Sequence, residues 1–561
     1  LQGVFARESR PPAEHETDMH EFPRSMVVPR VFLRKCRQKP SEQKVADSTG
    51  MELTRSSVLM RSLISRRLLL KSLKADERFV GILIPPSVGG VLANIAATLC
   101  GRVAVNLNYT VTSDILNYCI AQCGIKHVLT SRKFMERFDF KLDAELIYLE
   151  DLREQVTLID KLAGAFAAYL VPITILERWL GLHKLKPDDL FTIIYTSGST
   201  GKPKGVMLSF DNIGTNISAI EVALMLDGHD TVCGILPLFH SMGFTIGMWA
   251  PLASDVKGAY HFSPLDAKVI GKLCQDYKIT IMVSTPTFLR SYLRRCTPEE
   301  FASMELVVTG AEKLPNDLLA AFEERFKVRP MEGYGTTELS PVVSVNVPPN
   351  RTLDGTTKRA KVGTVGQPVQ LVKAKIIHHE TGAELGIDQS GLLLIKGPNV
   401  MQGYYKMPEQ TAKVMRDGWY LTGDMGMIDA DGFIHITGRV SRFSKIGGEM
   451  VPHIHIEEHL QRILTDDEEK LVVAVTAVPD ERKGERLIVF YLPSDKSVDQ
   501  ITKELVAAGL PNLWIPSPDS FFQVDAIPVL GTGKLDLQAL KELAKTRAGS
   551  ESGKAQRTAT S

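Results

Sequence analysis

From Leu190 to Leu339, short β-branched runs alternate with helix-patterned segments, and no other feature narrows the possible fold as much. FTIIYT, TVCGIL, ITIMVST and LVVTGA are the runs; DAKVIGKLCQDYK and NDLLAAFEERF lie among the segments between them. Near-continuous apolar runs mark strands buried on both faces, so the alternation predicts βαβ units and a parallel sheet covered by helices. An earlier set, RFVGILIPP, a helix around VLANIAATLCG, and IKHVLTS, predicts a second sheet of the same kind. After Gly363 the strands shorten and turn residues multiply, as in AKIIHHETGAELG and GLLLIKGP, which predicts a β-barrel-like subdomain. LVVAVTAV, RLIVFYL and a helix near ITKELVAAG then make a small α+β unit. The expected fold class is α/β: a large N-terminal domain of two βαβ-type layered subdomains plus a small β-barrel-like one, followed by a small α+β C-terminal domain. Expected boundaries are a linker or cut end at 1–30, the large domain at 31–438, the small domain at 439–545 and a disordered tail at 546–561. That tail, AGSESGKAQRTATS, lacks apolar residues to offset ordering entropy.

Several function classes are excluded early. A formal net charge of +1 argues against nucleic acid as the main partner, since backbone phosphates call for an excess of Lys and Arg. The seven cysteines form no disulfide framework and suit a reducing cytosol. Cys119 and Cys123, one helical turn apart, read as core packing. The first residue is Leu1 with no signal segment, which reads as a module cut from a longer chain. No apolar run reaches the ~20 residues a membrane span needs. The nearest is Leu162 to Leu182, interrupted by Pro172, Glu177 and Arg178. It reads first as a buried helix pair and second, with the basic helix RSLISRRLLLKSLK, as a peripheral membrane contact.

The chemistry begins at IIYTSGSTGKPKG, where an apolar strand runs into a loop rich in glycines, hydroxyls and lysines. Glycines let backbone N–H groups turn toward a ligand, hydroxyls donate hydrogen bonds and lysines supply charge; together they make a polyphosphate cradle. The common P-loop requires Ser or Thr after its lysine, whereas Pro203 follows Lys202. The wording resembles instead the phosphate loop of the adenylate-forming superfamily, which includes acyl-CoA synthetases, luciferases and peptide-synthetase adenylation domains. In that resemblance Thr196, Ser197, Gly198, Ser199, Thr200, Gly201, Lys202 and Lys204 contact the phosphates of ATP.

Further segments match in order. EGYGTTELSP resembles the family's adenine and magnesium segment: Gly333, Tyr334, Gly335 and Thr336 line the nucleotide, Tyr334 stacks on adenine, Thr337 bonds the α-phosphate and Glu338 holds Mg²⁺. A carboxylate beside a triphosphate is repulsive unless a divalent cation bridges them. TGAEKLP, with Gly310, Ala311 and Glu312, resembles the strand end on the adenine face. GWYLTGDMG brings Asp424 to the ribose hydroxyls, and GRVSRFSK brings Arg439 and Lys445 to the nucleotide. IPVLGTGKLDL carries Lys534, matching the catalytic lysine on a mobile C-terminal loop. Where the family has a hinge Asp or Lys, this chain has Ser441.

PLFHSMGF puts His240 in the segment that lies against the family's acyl site, and Phe239, Phe244, Met248 and Trp249 favour an apolar acyl chain. The resemblance therefore implies activation of a long-chain fatty acid and transfer to a phosphopantetheine thiol. The wording of the last third, GRVSRFSKIGGEMVPHIHIEE above all, is most similar to the synthetase module of bifunctional bacterial acyl-[acyl-carrier-protein] synthetase/2-acylglycerophosphoethanolamine acyltransferases. That implies acyl carrier protein as acceptor, an upstream acyltransferase as partner and a role in phospholipid re-acylation, in the cytoplasm or at the inner face of a bacterial membrane. The alternatives are a fatty acid–CoA ligase and, from another class, a non-catalytic acyl-binding scaffold beside an acyltransferase. HKLKPD, His183 to Asp188, reads as a chance acyltransferase motif, and His453, His455 and His459 read as solvated histidines rather than a zinc site.

Overall fold

The computed structural model describes residues 26–196, 202–310, 312–352, 359–447, 449–465, 470–480, 483–529 and 535–558. Ser87 accepts a hydrogen bond from the Gly90 amide and starts helix Val88–Leu99, whose sequence VGGVLANIAATL is apolar all round. Such a helix has to be covered on every side. The long helix Arg55–Ser72 lies along it, and buried Asn94 and Asn106 exchange two amide hydrogen bonds of 3.1 and 2.8 Å at its sheet side.

The earlier set of strands forms one sheet. Phe79–Ile82 and Val103–Asn106 pair in parallel, with His127–Thr130 and Glu145–Tyr148 beyond the first, and Leu190–Thr196 beyond the second. The FTIIYT run therefore joins this sheet rather than that of TVCGIL, as its position in the chain suggested. It turns back antiparallel into Lys204–Ser209, because residues 197–203 are too few for the crossover that parallel strands need. The second sheet runs Pro330–Gly335, Leu306–Thr309, Ile281–Ser284, Thr231–Gly234, Lys257–Tyr260 and Gln43–Asp47 in parallel, with Val342–Val345 and Gln367–Pro368 antiparallel at one edge and Glu52–Thr54 at the other. The β-barrel-like expectation is met by an antiparallel sheet of Lys373–Ile377, Gly391–Lys396, Trp419–Ile428 and Ile434–Arg439. One continuous core takes Phe191 and Leu208 from the first sheet, Tyr260 and Val343 from the second, and Leu393 and Ile434 from the third.

The C-terminal unit has cores of its own. Along Val473–Asp480 and Gly484–Tyr491, Val475 and Val489 face one layer with helices His453–Leu464 and Val498–Ala507, while Ala474 and Phe490 face Leu540 of the last helix. This is the period of two expected of strands covered on both faces. The last helix, Leu537–Thr558, runs past the expected end of order near 545. Extending a helix already nucleated adds a hydrogen bond for each residue fixed, and this carries it past Gly549 and Gly553, which by themselves disfavour helix.

The apolar stretch from Leu162 to Leu182 corrects a first expectation. It belongs to helices Leu158–Tyr169 and Ile173–Trp179 and is divided: Val171, Leu176, Leu180 and Leu182 join the common core, whereas Leu162, Phe166, Leu170 and Trp179 face outward. Small residues pack the inner face of the first helix, where a Cβ on Gly164 would lie 2.5 Å from Ile64 Cγ1 and bulk is not admitted. Among the described residues no helix is long and apolar enough to cross a membrane. All seven cysteines are buried and free, and Cys123 Sγ lies 3.1 Å from the Tyr195 hydroxyl.

Candidate active site

The parallel register that sets Thr309 opposite Glu332 carries both strands to glycines, and a Cβ on Gly310 would come 3.5 Å from the Gly333 carbonyl. The two backbones approach closely at these glycines, where a Cβ on Gly333 would meet Val308 Cγ1 and the Ser344 carbonyl at 3.3 Å. The chain then turns sharply: a Cβ on Gly335 would meet the Pro341 carbonyl at 2.0 Å, which is why glycine stands there. Thr336 Oγ1 is buried with no hydrogen-bond partner among the described residues. In the 3₁₀ turn Thr337–Leu339, Thr337 Oγ1 lies 3.3 Å from Ser241 Oγ. The Glu338 carbonyl accepts from the Met401 amide at 2.8 Å, and its Oε1 accepts from the Tyr404 hydroxyl at 2.8 Å. The Asn399 amide donates to the Leu339 carbonyl at 2.9 Å, bracing the same turn.

Tyr404 ties this turn to the glycine-rich hairpin. It pairs with Val206, and Lys204 Nζ sits 5.1 Å from its ring centre. Thr196 and Lys204 face each other across the hairpin where it opens, and Lys202 Nζ lies 5.6 Å from the Tyr118 ring. Ser197, Gly198, Ser199, Thr200 and Gly201 fall outside the described residues, as do Ala311 and Lys534.

Asp424 stands directly opposite Arg439 on the antiparallel pair. The residue is 2% exposed, and its carboxylate accepts from the Tyr334 hydroxyl on Oδ2 and from Arg439 Nε at 2.7 Å on Oδ1. Thr422 Oγ1 accepts from the Asp424 amide at 3.0 Å and fixes the turn. Burial, and then the Asp424 charge, pushes the Tyr334 phenol well above its ordinary range, while Asp424 raises the Arg439 guanidinium. Both groups hold their protons at neutral pH and act as donors.

Other candidates stand apart from this cluster. Glu312 accepts from Thr287 Oγ1 at 3.1 Å at the surface, and Lys445 forms an ion pair with Glu380 of the third sheet's loop. His240 is exposed, its ring 4.7 Å from that of Phe239, which packs on Tyr109 at 4.8 Å. Phe244, Met248 and Trp249 are wholly buried in the common core, with Phe191 5.0 Å from Trp249. They supply core packing rather than an acyl wall. Ser441 is exposed between two anchors, Arg439 on Asp424 and Arg442, which donates to the Val475 carbonyl at 3.2 Å and pairs with Glu457. His453 corrects the solvated reading: it is buried, bonded to Ser444 Oγ at 2.7 Å, and burial lowers it to about 3. No metal-holding group of three or more His, Cys, Asp or Glu occurs among the described residues. Ser241, Asn399, Tyr404 and Tyr420 are not singled out by the sequence: Ser241 and Tyr420 lie within the quoted segments PLFHSMGF and GWYLTGDMG, Tyr420 bonded to Tyr404, whereas Asn399 and Tyr404 reach the site only through tertiary contact.

A family model described as AMP-binding enzyme matches residues 32–405. The long-chain-fatty-acid–CoA ligase of Bacillus subtilis (strain 168) is 33% identical over 337 residues, which are 58% of this chain and 57% of that protein. Acyl-CoA ligase SID4 of Ajellomyces capsulatus is 26% identical over 520 residues, covering 87% of this chain and 86% of that one. Among solved structures, ATP-bound MatB from Rhodopseudomonas palustris superposes with a TM-score of 0.74 at 26% identity, over 92% of this chain and 99% of that one.

Proposed function

The chain belongs to the AMP-binding enzyme family, and on that premise we propose that it activates a long-chain fatty acid with ATP and passes the acyl group to a phosphopantetheine thiol. The observation that carries this reading is the buried Asp424 carboxylate held between Tyr334 and Arg439. A carboxylate offers about four acceptor directions. Two are taken, and the others suit the vicinal hydroxyls of a ribose. In this reading the base lies beside Tyr334, next to the paired glycines Gly310 and Gly333, and Thr337, Lys202 and Lys204 reach toward the phosphates.

In the first step an oxygen of the fatty carboxylate attacks the α-phosphorus; the bond from that phosphorus to its bridging oxygen breaks and pyrophosphate leaves. Thr337 and Lys534 hold the α-phosphate as negative charge gathers on its oxygens. In the second step the thiol sulfur attacks the acyl carbon, AMP leaves with the C–O bonding pair, and the thiol proton passes to solvent. Glu338 is the residue suited to Mg²⁺: its Oε2 makes no hydrogen bond or ion pair among the described residues, and Mg²⁺ commonly takes one or two carboxylates beside substrate phosphates. Bound there, the ion neutralises phosphate charge. Val440 and Ser441 are the hinge in this reading, since the residues on either side are tied to different units.

The names of the relatives favour CoA as acceptor, and we put it first. Acyl carrier protein, with phospholipid re-acylation beside an acyltransferase, is the second reading, carried by the wording of the last third of the sequence. Fatty-acid-dependent ATP–pyrophosphate exchange tests the first step; its absence with every chain length overturns the reading. Thioester formation with CoA and with holo-carrier protein then separates the acceptors. A non-catalytic scaffold predicts instead that Lys534→Ala leaves biological activity intact, and it fails if that substitution abolishes acyl-adenylate formation.

A further inference from the structure

We infer that helices Leu158–Tyr169 and Ile173–Trp179 are a docking surface for an anionic lipid bilayer, lying in its interface rather than crossing it. Leu158, Ile159, Leu162 and Phe166 of the first helix, Leu170 just past its end and Trp179 of the second are between 52% and 71% exposed. Contiguous apolar surface of this kind marks an interaction site. The inner stripe, Asp160, Gly164 and Ala168, recurs every fourth residue against helix Arg55–Ser72 and leaves the bulky residues no place inside.

The face is held in this orientation. Asp160 pairs with Arg67 Nε at 2.6 Å, and Glu177 takes Arg30 Nε at 3.1 Å and Arg34 Nε at 2.8 Å. Arg37 donates to the carbonyls of Ala167, Tyr169 and Val171 at 3.0, 2.9 and 2.6 Å, capping the first helix. These pairs also set the sign of the surface. Asp160 and Glu177 are the only carboxylates from Gln155 to Lys186, and both are buried. The exposed charges there, Lys161, Arg178, Lys184 and Lys186, are all cationic and make no ion pair among the described residues. Helix Arg55–Ser72 beneath contains no carboxylate either. An apolar face whose own exposed charges are all cationic, with exposed carboxylates returning only beyond its ends at Glu154 and at Asp188 and Asp189, suits acyl chains below and anionic headgroups around them. A second copy of this chain would meet the same positive rim with its own.

The test is flotation of the full chain, without ATP or fatty acid, on phosphatidylcholine vesicles and on phosphatidylcholine/phosphatidylglycerol vesicles. Binding is expected on the second kind, weakening as salt rises. Leu162→Glu with Phe166→Glu should weaken it at least about tenfold, and Arg178→Gln about fivefold, while Val362→Glu with Ile387→Glu on other surfaces leaves it unchanged. Acid-dependent pyrophosphate exchange, unaltered in the Leu162/Phe166 variant, reports an intact fold. Failure of wild type to float on either vesicle, or flotation indifferent to Leu162→Glu with Phe166→Glu, overturns the inference. So does a wild-type dimer in sedimentation that those changes dissociate while neither protein floats. Because the assay needs no substrate, its failure is distinct from failure of the adenylation reading.

Discussion

Two carboxylate–arginine pairs, Asp230–Arg351 and Asp424–Arg439, use the same chemistry to opposite ends. Arg351 grips Asp230 with both terminal nitrogens, at 2.8 and 2.6 Å, and also takes Glu305 at 2.7 Å. Thr280 Oγ1 donates to the same carboxylate at 2.8 Å, so its oxygens are spoken for. Asp424 receives one donor on each oxygen, and its arginine is 60% exposed. A closed pair locks structure; an open one keeps acceptor capacity for a ligand. The contrast separates a residue that folds the chain from one proposed to work on a substrate.

The largest expected effect falls on the closed pair. Asp230→Ala leaves Arg351 buried without its bidentate partner and should cost about 3–5 kcal/mol of folding stability, read by urea denaturation, with pyrophosphate exchange per folded molecule preserved. Asp230 is held below its ordinary range: burial pulls it up, but Arg351 and its other donors outweigh that. A depressed carboxylate contributes stability that is complete above its unfolded pKa and is lost as pH falls through the folded one. The stability gap between wild type and Asp230→Asn should therefore be widest near neutrality and close from about pH 4 downward. A gap that widens in acid would refute the assignment.

The open pair should show the reverse pattern. Asp424→Ala removes the acceptor proposed for the ribose and should lower kcat/KM for ATP by about 100- to 1,000-fold, two charge-assisted hydrogen bonds at roughly 1.5–3 kcal/mol each less what water recovers. The urea midpoint should shift far less than for Asp230→Ala. Equal loss of stability in both variants would erase the distinction. Arg439→Gln comes next, at about tenfold in kcat/KM, because Tyr334 still orients the carboxylate and a largely exposed cation contributes less.

How far the site could be read from the chain follows from the same geometry. Asp424, Glu338 and the hairpin lysines sit in local wording that states its chemistry, and each is brought into the cluster or its edge. Tyr404, 66 positions from Glu338, carries no such wording; nothing in MQGYYK says which tyrosine turns inward. The fold was legible where period and length agreed, as in the parallel runs. Legibility held for only part of the Leu162 to Leu182 stretch, where Leu176, Leu180 and Leu182 are buried but hydropathy overstated the burial of the first helix. In the stretch ending at Leu182, Gly164 and Ala168 pack inward and Leu162 and Phe166 point out, because close helix crossing demands small residues. An apolar run reports how much surface seeks cover, and not what covers it.

The smallest prediction bears on how the open site is held. Tyr404 donates to Glu338 Oε1 and takes a further bond from Tyr420, and burial raises both phenols, so neither ionises near neutral pH. Tyr404→Phe removes one hydrogen bond and keeps the ring that Lys204 faces. A net bond of about 1 kcal/mol corresponds to roughly fivefold. If Tyr404 aims Glu338 at Mg²⁺, the loss should appear as a fivefold higher Mg²⁺ requirement in pyrophosphate exchange, with ATP KM at saturating Mg²⁺ little changed. A merely structural tyrosine would lower the urea midpoint and leave the Mg²⁺ titration where it was. The two outcomes place the residue on one side or the other of the contrast drawn by the two acid–arginine pairs.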